Sequence, residues 1–432
     1  MLNAIKFSIE NRVRYNYFFA KKLRTIRAQR SWDLVRLRAL QERRFVAMVH
    51  RAYQKSSFYR HLYDLHGVSI DKVKSLTDIE RLPVITKEMI RDNSKVIFTG
   101  NRLNRNIAYT SGTTGSPMPL YRDYQSITEE AAYLWAHRVS FGYEVGMKTV
   151  TLRGNLGKKQ MEIMDPLTNT LYLSSYNLSP DNAEWYYERI RDFAPHAILA
   201  YPSSLATLAN YFASMGKSLQ IPLSFTSSET VYTHQREKVE RVFGTRIIDW
   251  YGNAERTIAL EQNALGHYDE LPLYSINEFQ DDHAITTGLI NRSFPLIRYR
   301  VDDVFVVNEG EPRTVESIQG RSNDYLLLPD GSRVSLLCNA MKGINHLLLA
   351  QIVQHDASGF VVNVVVEEDF GPEDEQQIRN NLSKRVGDDI PITVAYVDED
   401  DIIKSFAGKY KLIINHMAND EPELSVSEPW LS

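Results

Sequence analysis

The chain has 432 residues, enough for two or three domains with sizeable buried cores. Charged residues make up 24% of the chain and apolar residues 43%, which argues against a disordered or fibrous protein. The single cysteine excludes an intrachain disulfide framework, and the apolar runs fall short of the roughly 18 to 20 residues of a membrane helix, so we expect a cytoplasmic protein.

The first part of the chain is basic, although the net charge of the whole chain is −4. Residues 1–60 contain 15 Lys or Arg and 3 Asp or Glu. Apolar residues such as Leu34, Leu37 and Leu40 recur at helical spacing, which predicts two or three amphipathic helices over residues 1–65. These helices either meet an anionic glycan or a membrane surface, or fold against the acidic remainder of the chain. No nucleic-acid-binding motif is present, so no nucleic-acid partner is expected.

From about residue 105 to 320, short β-rich runs alternate with helical patterns, which predicts an α/β fold. Two helix–strand units are the clearest: helix 181–194 with strand 197–200, and helix 234–243, ending at Gly244, with strand 245–250. Ser203 or Ser204 is expected to cap the helix after the first unit. Ligands of open α/β sheets bind beyond the carboxyl ends of strands, so Tyr201 and the segment from Tyr251 to Glu255 are predicted to lie at a site.

After about residue 320 the pattern changes to that of a small α+β domain, with strands over 359–366 and 392–397 flanking a helix over 373–385. The predicted organisation is a basic helical segment (1–65), an α/β core (66–320), a small domain (321–415) and an acidic tail (416–432).

The most specific motif is the run TSGTTGSP, which lies between the strand-like sequences IAY and MPLY. Glycines allow main-chain amides to turn toward an anion, and hydroxyl groups add further donors. The run lacks the Gly-Lys-Ser/Thr of a Walker loop. We therefore predict a polyphosphate-binding loop formed by Thr110, Ser111, Gly112, Thr113, Thr114 and Gly115.

This loop resembles the phosphate loop of the adenylate-forming superfamily, which includes acyl-coenzyme A synthetases and luciferases. Residues 57–93 resemble the N-terminal stretch of the phenylacetate–coenzyme A ligase family and its CapK-type, capsule-biosynthesis relatives. The resemblance extends from about residue 45 to about 415, with the motifs in the expected order. It implies a large adenylate-forming N-terminal domain with a helical extension, followed by a small mobile α+β C-terminal domain.

The resemblance also implies roles for single residues around the nucleotide. Tyr251-Gly-Asn-Ala-Glu255 is similar to the family's Tyr-Gly-x-Thr-Glu. The resemblance implies that the Tyr251 ring stacks on adenine, that Gly252 also lies at the ATP site, and that the carboxylate of Glu255 holds Mg²⁺. Ala254 replaces the usual Thr. Ser228 and Glu229 resemble the strand end against which adenine packs, although Glu229 is equally well explained as a solvated loop carboxylate.

Three further motifs follow in the family's order. Asp303 ends a run similar to Arg-Tyr-Arg-Thr-Gly-Asp, which implies hydrogen bonds to the ribose hydroxyls; Asp302 stands where Gly is usual. Arg321 matches an arginine that reaches ribose and phosphate, and Asn323-Asp324 stands at the hinge. Lys409 resembles the C-terminal lysine that stabilises charge as the adenylate forms.

The resemblance implies an ATP- and Mg²⁺-dependent ligase that converts a small-molecule carboxylate to its acyl-adenylate, with Lys409 and Glu255 as the catalytic residues and Tyr201 in the acyl pocket. Coenzyme A is the first choice of acceptor. The first alternative is a CapK-type amide ligase that joins a sugar acid or another carboxylate to an amine in surface-polysaccharide biosynthesis. The second is an inactive nucleotide-binding scaffold, for which Ala254 and Asp302 are the only support.

Overall fold

A computed structural model describes residues 15, 17–109, 118–154, 156, 160–281, 283–310, 312–321, 324–335, 337–341, 344, 346–403 and 410–417. The chain divides into two compact units. Unit 1 contains the described residues within 1–144 and 250–317, and unit 2 those within 145–249 and 318–423.

The α-helices of the described residues are α1 (Tyr17–Gln29), α2 (Leu34–Lys55), α3 (Ser57–Leu65), α4 (Lys87–Ile97), α5 (Tyr124–Ser140), α6 (Ala183–Phe193), α7 (Pro202–Ser214), α8 (Thr233–Phe243) and α9 (Pro372–Val386). Short 3₁₀ turns lie between them, among them Leu76–Arg81 and Leu337–Met341.

The strands are β1 (Asn106–Tyr109), β2 (Pro119–Arg122), β3 (Thr149–Arg153), β4 (Glu162–Asp165), β5 (Thr170–Ser174), β6 (Ala197–Ala200), β7 (Leu223–Ser227), β8 (Arg246–Gly252), β9 (Ala259–Gln262), β10 (Tyr268–Glu270), β11 (Ser275–Phe279), β12 (Ala284–Gly288), β13 (Tyr299–Val301), β14 (Asp303–Asn308), β15 (Thr314–Arg321), β16 (Tyr325–Leu327), β17 (Arg333–Ser335), β18 (Leu347–Asp356), β19 (Gly359–Val366), β20 (Ile392–Tyr396) and β21 (Ile413–Asn415). Strands β8 and β15 each carry the chain from one unit into the other.

Unit 1 contains the basic helices α1 to α3, so the helices predicted from the sequence are confirmed over residues 17–65. Several basic side chains in and between these helices pair with acidic residues of the same unit. Lys22 Nζ lies 3.1 Å from Glu129 Oε2, Arg44 Nη1 lies 3.6 Å from Glu129 Oε1, and Arg30 Nη2 lies 2.5 Å from Glu261 Oε2. Glu129 and Glu261 are buried, so part of the basic charge neutralises buried carboxylates.

Unit 1 contains several antiparallel strand pairs. Strands β1 and β2 form a hairpin, β11, β12 and β13 form a three-stranded sheet, and β9, β10 and β15 pair in that order. The last residues of β8 pair with β9, where Tyr251 faces Leu260. The segment from Tyr251 to Glu255 therefore starts on a strand that is fixed by its neighbour.

Unit 2 contains the alternating strands and helices that the sequence predicts. Strands β5, β3, β6 and β7 are parallel in that order, with β4 antiparallel at the edge. Side chains from β3, β6 and helices α6 to α8 form one buried core, which includes Leu152, Ile198, Tyr186, Phe212 and Phe243. Because β3, β6 and β7 are parallel and in register, the residues after them emerge at one edge.

Residues 326–413 of unit 2 have a hydrophobic core of their own. The four-stranded sheet β20-β19-β18-β21 packs against α9, and the shared core includes Leu326, Ile352, Val362, Ile378 and Leu382. Strand β18 pairs antiparallel with β19 and parallel with β21. The predicted strands and helix of this segment are confirmed.

One local prediction is wrong. Helix α7 begins at Pro202, with Tyr201 as its N-cap residue, so Ser203 and Ser204 lie inside the helix rather than capping it. Proline is suited to the first helical position because it has no N–H to leave unsatisfied. No helix within the described part of the chain is long and apolar enough to cross a membrane.

Candidate functional site

Unit 1 brings together two of the residues predicted to bind nucleotide. Tyr251, near the end of β8, donates a hydrogen bond of 2.5 Å from its hydroxyl to Oδ2 of Asp303, the first residue of β14. The Tyr251 ring also meets the buried Phe305 edge to face, with centroids 5.3 Å apart. A polar contact and an apolar contact thus fix the ring and the carboxylate relative to each other.

The loop after Tyr251 is closed by its own side chains. Asn253 Oδ1 accepts a hydrogen bond of 3.0 Å from the Thr257 amide, and Asn253 Nδ2 donates to Thr257 Oγ1 over 2.7 Å. The next acidic residue, Glu255, accepts from the Tyr299 hydroxyl over 3.2 Å. Asp302, which replaces the usual glycine, pairs with Arg300 at 3.2 Å.

Two arginines that the sequence interpretation did not single out hold this loop. Arg122, at the end of β2, donates a hydrogen bond of 2.5 Å to the Ala254 carbonyl. Arg256 follows Glu255 and pairs with Glu130 at 2.9 Å. Burial, together with the charge of Arg256, lowers the pKa of Arg122 to about 10.

These two guanidinium groups retain hydrogen-bonding capacity. Among the described residues, Arg122 Nε and Arg256 Nη1 are buried without a hydrogen-bond partner. Burying two positively charged donor groups near each other destabilises the folded protein unless a negatively charged group accepts hydrogen bonds from them. A group of this kind beside the Tyr251 loop is suited to a phosphate-bearing ligand.

The predicted phosphate loop, Thr110 to Gly115, lies outside the described residues, but both of its flanking strands are described. Strands β1 and β2 pair from Asn106 opposite Arg122 to Tyr109 opposite Pro119. The predicted loop is therefore the connection of an antiparallel hairpin. The second strand of this hairpin carries Arg122, which contacts Ala254, so the hairpin and the Tyr251 loop are joined directly.

Unit 2 brings together a second group, at the carboxyl ends of its parallel strands. Arg153 ends β3, Tyr201 follows β6, and Ser227 ends β7. Arg153 Nη2 donates to Ser227 Oγ over 2.8 Å, and its guanidinium lies 5.4 Å from the centroid of the Tyr201 ring. Ser228, predicted to lie against adenine, is exposed and has a left-handed backbone with φ 76°.

Glu229 belongs to the same edge and accepts hydrogen bonds from two main-chain amides. One carboxylate oxygen, Oε2, accepts from the Ser203 amide over 3.0 Å, and Oε1 accepts from the Tyr410 amide over 3.1 Å. Ser203 lies in the first turn of α7, and Tyr410 follows Lys409 in the sequence. Both partners belong to unit 2.

The remaining predicted residues are only partly described. Arg321 ends β15, but its side chain lies outside the described part of the chain, as do Asn323 and Lys409. Asp324 is described and lies in a bend before β16. The roles assigned to these four residues stay predictions.

A cavity of about 970 Å³ lies elsewhere in unit 1, among α1, α2 and strands β9 to β11. Its walls include Arg30, Gln41, Tyr133, Glu270 and Leu273. None of the predicted site residues is among the residues that line it, so its size alone does not mark it as the reaction site.

Arg122, Arg153 and Arg256 are the residues that the sequence interpretation missed. A signal was present for each of them. Arg153 ends a strand parallel to the one before Tyr201, Arg122 ends the strand after the phosphate loop, and Arg256 directly follows Glu255. Cationic residues at strand ends beside a predicted polyphosphate site are candidates for anion binding.

Comparisons with known proteins show what this chain resembles. Residues 326–416 match the family model described as the CapK C-terminal domain. The chain is 24% identical to protein CapK of Staphylococcus aureus over 409 residues, covering 89% of this chain and 88% of that protein. It is also 24% identical to phenylacetate–coenzyme A ligase of Escherichia coli (strain K12), covering 68% of this chain and 72% of that enzyme.

A solved structure has the same fold. The chain superposes on 2-hydroxyisobutyryl-CoA ligase in the postadenylation state, in complex with 2-HIB-AMP, with a TM-score of 0.68 and 16% identity, covering 87% of this chain and 88% of that one. The same ligase in complex with 2-HIB-AMP and CoA gives a TM-score of 0.56, covering 89% and 91% of the two chains.

These findings confirm the predicted fold class and the family resemblance. The enzyme class follows from the same relatives, which are coenzyme A ligases and a CapK protein. The chain is an adenylate-forming ligase that resembles the CapK protein and the phenylacetate–coenzyme A ligases over most of its length, and its residues 326–416 match the CapK C-terminal domain.

Proposed function

We propose that the chain uses ATP to convert a carboxylic acid into an acyl-adenylate and then transfers the acyl group to coenzyme A. The observation that carries the proposal is the link among three motifs in unit 1. Tyr251 donates to Asp303, and Arg122, on a strand that flanks the predicted phosphate loop, donates to Ala254 in the Tyr251 motif. Motifs distant in the sequence thereby meet at one place, as a nucleotide site requires.

The proposed first half-reaction is a displacement at phosphorus. A carboxylate oxygen of the acid attacks the α-phosphorus of ATP, the bond from that phosphorus to the bridging oxygen breaks, and pyrophosphate leaves with this oxygen. The Tyr251 ring stacks on adenine, Asp303 and Arg321 bind the ribose, and Thr110 to Gly115 bind the phosphates. Lys409 stabilises the charge that develops on the α-phosphoryl group, so catalysis consists of positioning and charge neutralisation.

Mg²⁺ is part of the proposal, with Glu255 as its protein ligand. Among the described residues no cluster of three or more His, Cys, Asp or Glu side chains forms a metal site. Mg²⁺ in nucleotide sites is commonly held by one or two carboxylates together with the substrate's phosphates, so a single carboxylate fits. Tyr299 donates to Oε1 of Glu255 and orients it, and Mg²⁺ would neutralise phosphate charge there.

The proposed second half-reaction transfers the acyl group. The thiolate of coenzyme A attacks the acyl carbon, the bond to the phosphate-linked oxygen breaks, and AMP leaves with that oxygen. The family's mobile C-terminal domain reorients between the two steps, which would withdraw Lys409 and admit the acceptor. Tyr201, beside Arg153 at the strand ends of unit 2, is proposed to line the acyl pocket.

The decisive experiment is acid-dependent exchange of labelled pyrophosphate into ATP, measured with a panel of aryl, fatty, amino and uronic acids. Exchange with one class of acid and none without acid is the expected result. Exchange that is absent with every acid, in a folded protein that binds ATP, would instead leave the inactive nucleotide-binding scaffold as the explanation.

A second candidate differs only in the acceptor. The match of residues 326–416 to the CapK C-terminal domain favours an amide ligase that joins a sugar acid to an amine in surface-polysaccharide biosynthesis. The two candidates are separated by supplying the identified acid and ATP with either coenzyme A or an amine. Product formation that saturates with the amine and ignores coenzyme A would select the second candidate.

The basic helices α1 and α2 would help to bind the acceptor if the acceptor is an anionic glycan or a membrane-bound carrier. Lys22, Arg30 and Arg44 are already paired within unit 1, so only the remaining basic residues would serve such a partner. Complete acyl transfer to the natural acceptor should then fall with salt more steeply than pyrophosphate exchange. Identical salt curves for the two assays would assign these helices a purely structural role.

A further inference from the structure

One row of residues crosses the parallel strands β5, β3, β6 and β7 of unit 2 at their carboxyl ends. Arg153, the last residue of β3, pairs in register with Ser174, the last residue of β5. On the other side of β3, the register with β6 places Arg153 level with Tyr201, and the register of β6 with β7 places Tyr201 level with Ser227. The row is therefore Ser174, Arg153, Tyr201 and Ser227, with the arginine in its interior.

The sheet changes from apolar to polar at this row. The residues directly before it on the four strands are Leu173, Leu152, Ala200 and Thr226, and the first three belong to the hydrophobic core. In the row itself every side chain is polar and one carries a positive charge. Ligands of open α/β sheets bind beyond such strand ends. A purely apolar acyl group bound here would cover this charge without offering it a partner, which is unfavourable.

Two neutral neighbours fix the position of the guanidinium. Arg153 Nη2 donates to Ser227 Oγ over 2.8 Å, and the guanidinium lies 5.4 Å from the centroid of the Tyr201 ring, within the range of a cation–π interaction. Burial raises the pKa of Tyr201, and the charge of Arg153 opposes this rise, so the Tyr201 hydroxyl stays neutral near pH 7. Both contacts orient the half-buried guanidinium, and neither of them neutralises its charge.

Glu229 brings a carboxylate to the same edge of the sheet. Its Oε2 accepts from the Ser203 amide at 3.0 Å, and its Oε1 accepts from the Tyr410 amide at 3.1 Å. Ser203 lies in the first turn of α7, where the amides lack partners within the helix and the helix end carries a partial positive charge. Main-chain donors therefore stabilise the charge of Glu229, so this carboxylate does not require a guanidinium partner.

We infer that the acid activated by this ligase carries a second anionic group, a carboxylate or a phosphate remote from the reacting carboxylate, and that Arg153 binds this group and so determines the specificity. A guanidinium can form two parallel hydrogen bonds with either group, and its orientation is already fixed by Ser227 and Tyr201. The inference rests on the proposed function, which assigns Tyr201 to the acyl pocket. It favours dicarboxylates and phosphorylated acids over simple aryl and fatty acids.

The test compares acids that differ only in the second group. Each dicarboxylate from succinate to adipate is paired with its monoamide, which has nearly the same size but lacks the second charge, and a phosphorylated hydroxy acid is paired with the free hydroxy acid. The measured quantity is kcat/KM of acid-dependent pyrophosphate exchange by the unmodified protein. We expect one dianionic acid to exceed its partner by about 10- to 100-fold, the usual effect of a charge-assisted hydrogen bond. The series in which it occurs identifies the group as a carboxylate or a phosphate.

Arg153→Gln tests whether this preference depends on the arginine. Glutamine can still donate to Ser227 but has no charge, so kcat/KM for the dianionic acid should fall by about 10- to 100-fold and that for its partner by less than about threefold. Arg153→Lys retains the charge without the planar fork and should keep part of the preference. Arg191→Gln is the matched control, since exposed Arg191 on α6 pairs with Asp192 at 2.9 Å, and it should change neither value more than about twofold.

Three outcomes would contradict the inference, and the first needs no variant. The unmodified protein would use both members of every pair equally, or only acids without a second anionic group, which would leave the proposed function in place. Equal losses for both members in folded Arg153→Gln would show that Arg153 acts on the reacting carboxylate or on the structure of the site. Absence of exchange with every acid, in a folded protein that binds ATP, would overturn the proposed function and this substrate class with it.

Discussion

The hydroxyl of Tyr251 lies 2.5 Å from Oδ2 of Asp303 and donates a hydrogen bond to it. The two residues are predicted to bind adenine and ribose, and each restricts the other's rotamer. Nucleotide binding should therefore depend on the hydroxyl as well as on the ring.

Tyr251→Phe should raise KM for ATP in pyrophosphate exchange by about 5- to 20-fold, because Asp303 loses a charge-assisted hydrogen bond that orients it. The ring, and with it the stacking surface, is retained. Tyr396→Phe is the matched control: it removes a 2.9 Å hydrogen bond to Glu375 on the surface of the C-terminal domain and should leave KM unchanged. Equal KM values for the Tyr251 variant and the unmodified protein would contradict the role of this contact.

Gly112→Val should abolish ATP binding while the protein stays folded, because a β-branched side chain would block the approach of main-chain amides to the phosphates. Binding is measured by calorimetry and folding by circular dichroism. Gly310→Val serves as a control, since within the described part of the chain a Cβ there would meet the Pro312 carbonyl at 3.6 Å, an ordinary van der Waals distance. Unchanged ATP affinity in a folded Gly112 variant would remove the phosphate-loop assignment.

Lys409→Ala should lower pyrophosphate exchange by about 10²–10³, the usual effect of removing one preorganised group that stabilises developing charge. The variant should still transfer an acyl group from chemically supplied acyl-adenylate. A proline at Asn323 should do the reverse, because it restricts the main-chain rotation that reorients the C-terminal domain. If both folded variants lose the two half-reactions equally, the alternating-domain mechanism does not apply to this protein.

The stability of the protein should fall in mildly acidic solution because of His137. Burial lowers the pKa of His137 to about 4, and its Nε2 lies 2.9 Å from the Gln262 carbonyl. In the unfolded chain the ordinary pKa is about 6.5, so between these values the unfolded state binds more protons than the native state. The free energy of unfolding should therefore decrease as the pH falls from about 6.5 to about 4, by up to about 3 kcal/mol.

Urea denaturation at pH 7.5 and pH 5 measures this effect. His137→Gln, which can still donate to the Gln262 carbonyl, should flatten the dependence on pH. His61→Gln should leave it unchanged, because the His61 side chain is exposed in the native protein as well. Identical pH dependences for His137→Gln and the unmodified protein would assign the acid sensitivity to other groups.

Local patterns were sufficient to predict much of the fold. Helix α8 ends at Gly244, whose φ of 53° is the left-handed conformation that glycine tolerates best. The strands after α6 and α8 were also predicted, since each follows a helix in a regular α/β alternation. The segments that begin at Tyr201 and Tyr251 lie at the ends of β6 and β8, as the sequence predicts.

The contacts that sequence reasoning missed are those made across long sequence separations. Helix α7 is satisfied at Ser203 by Glu229 rather than by a local serine cap, and the same carboxylate reaches Tyr410, 181 residues later. Arg122 reaches Ala254 over 132 residues. Hydrogen bonds of this kind depend on how the chain packs. The sequence around Glu229 or Arg122 therefore does not indicate which residues they will contact.

The separate core of residues 326–413 has a consequence for the evolution of the protein. Because side chains such as Ile352, Val362 and Ile378 are buried among one another, this segment brings most of its folding determinants with it. Its attachments to the parallel-sheet part of unit 2 include polar contacts at Glu229, Glu399 and Lys238. Recombination between relatives could therefore exchange this segment as a module, and because the proposed adenylation lysine, Lys409, lies within it, the incoming segment would have to supply an equivalent lysine.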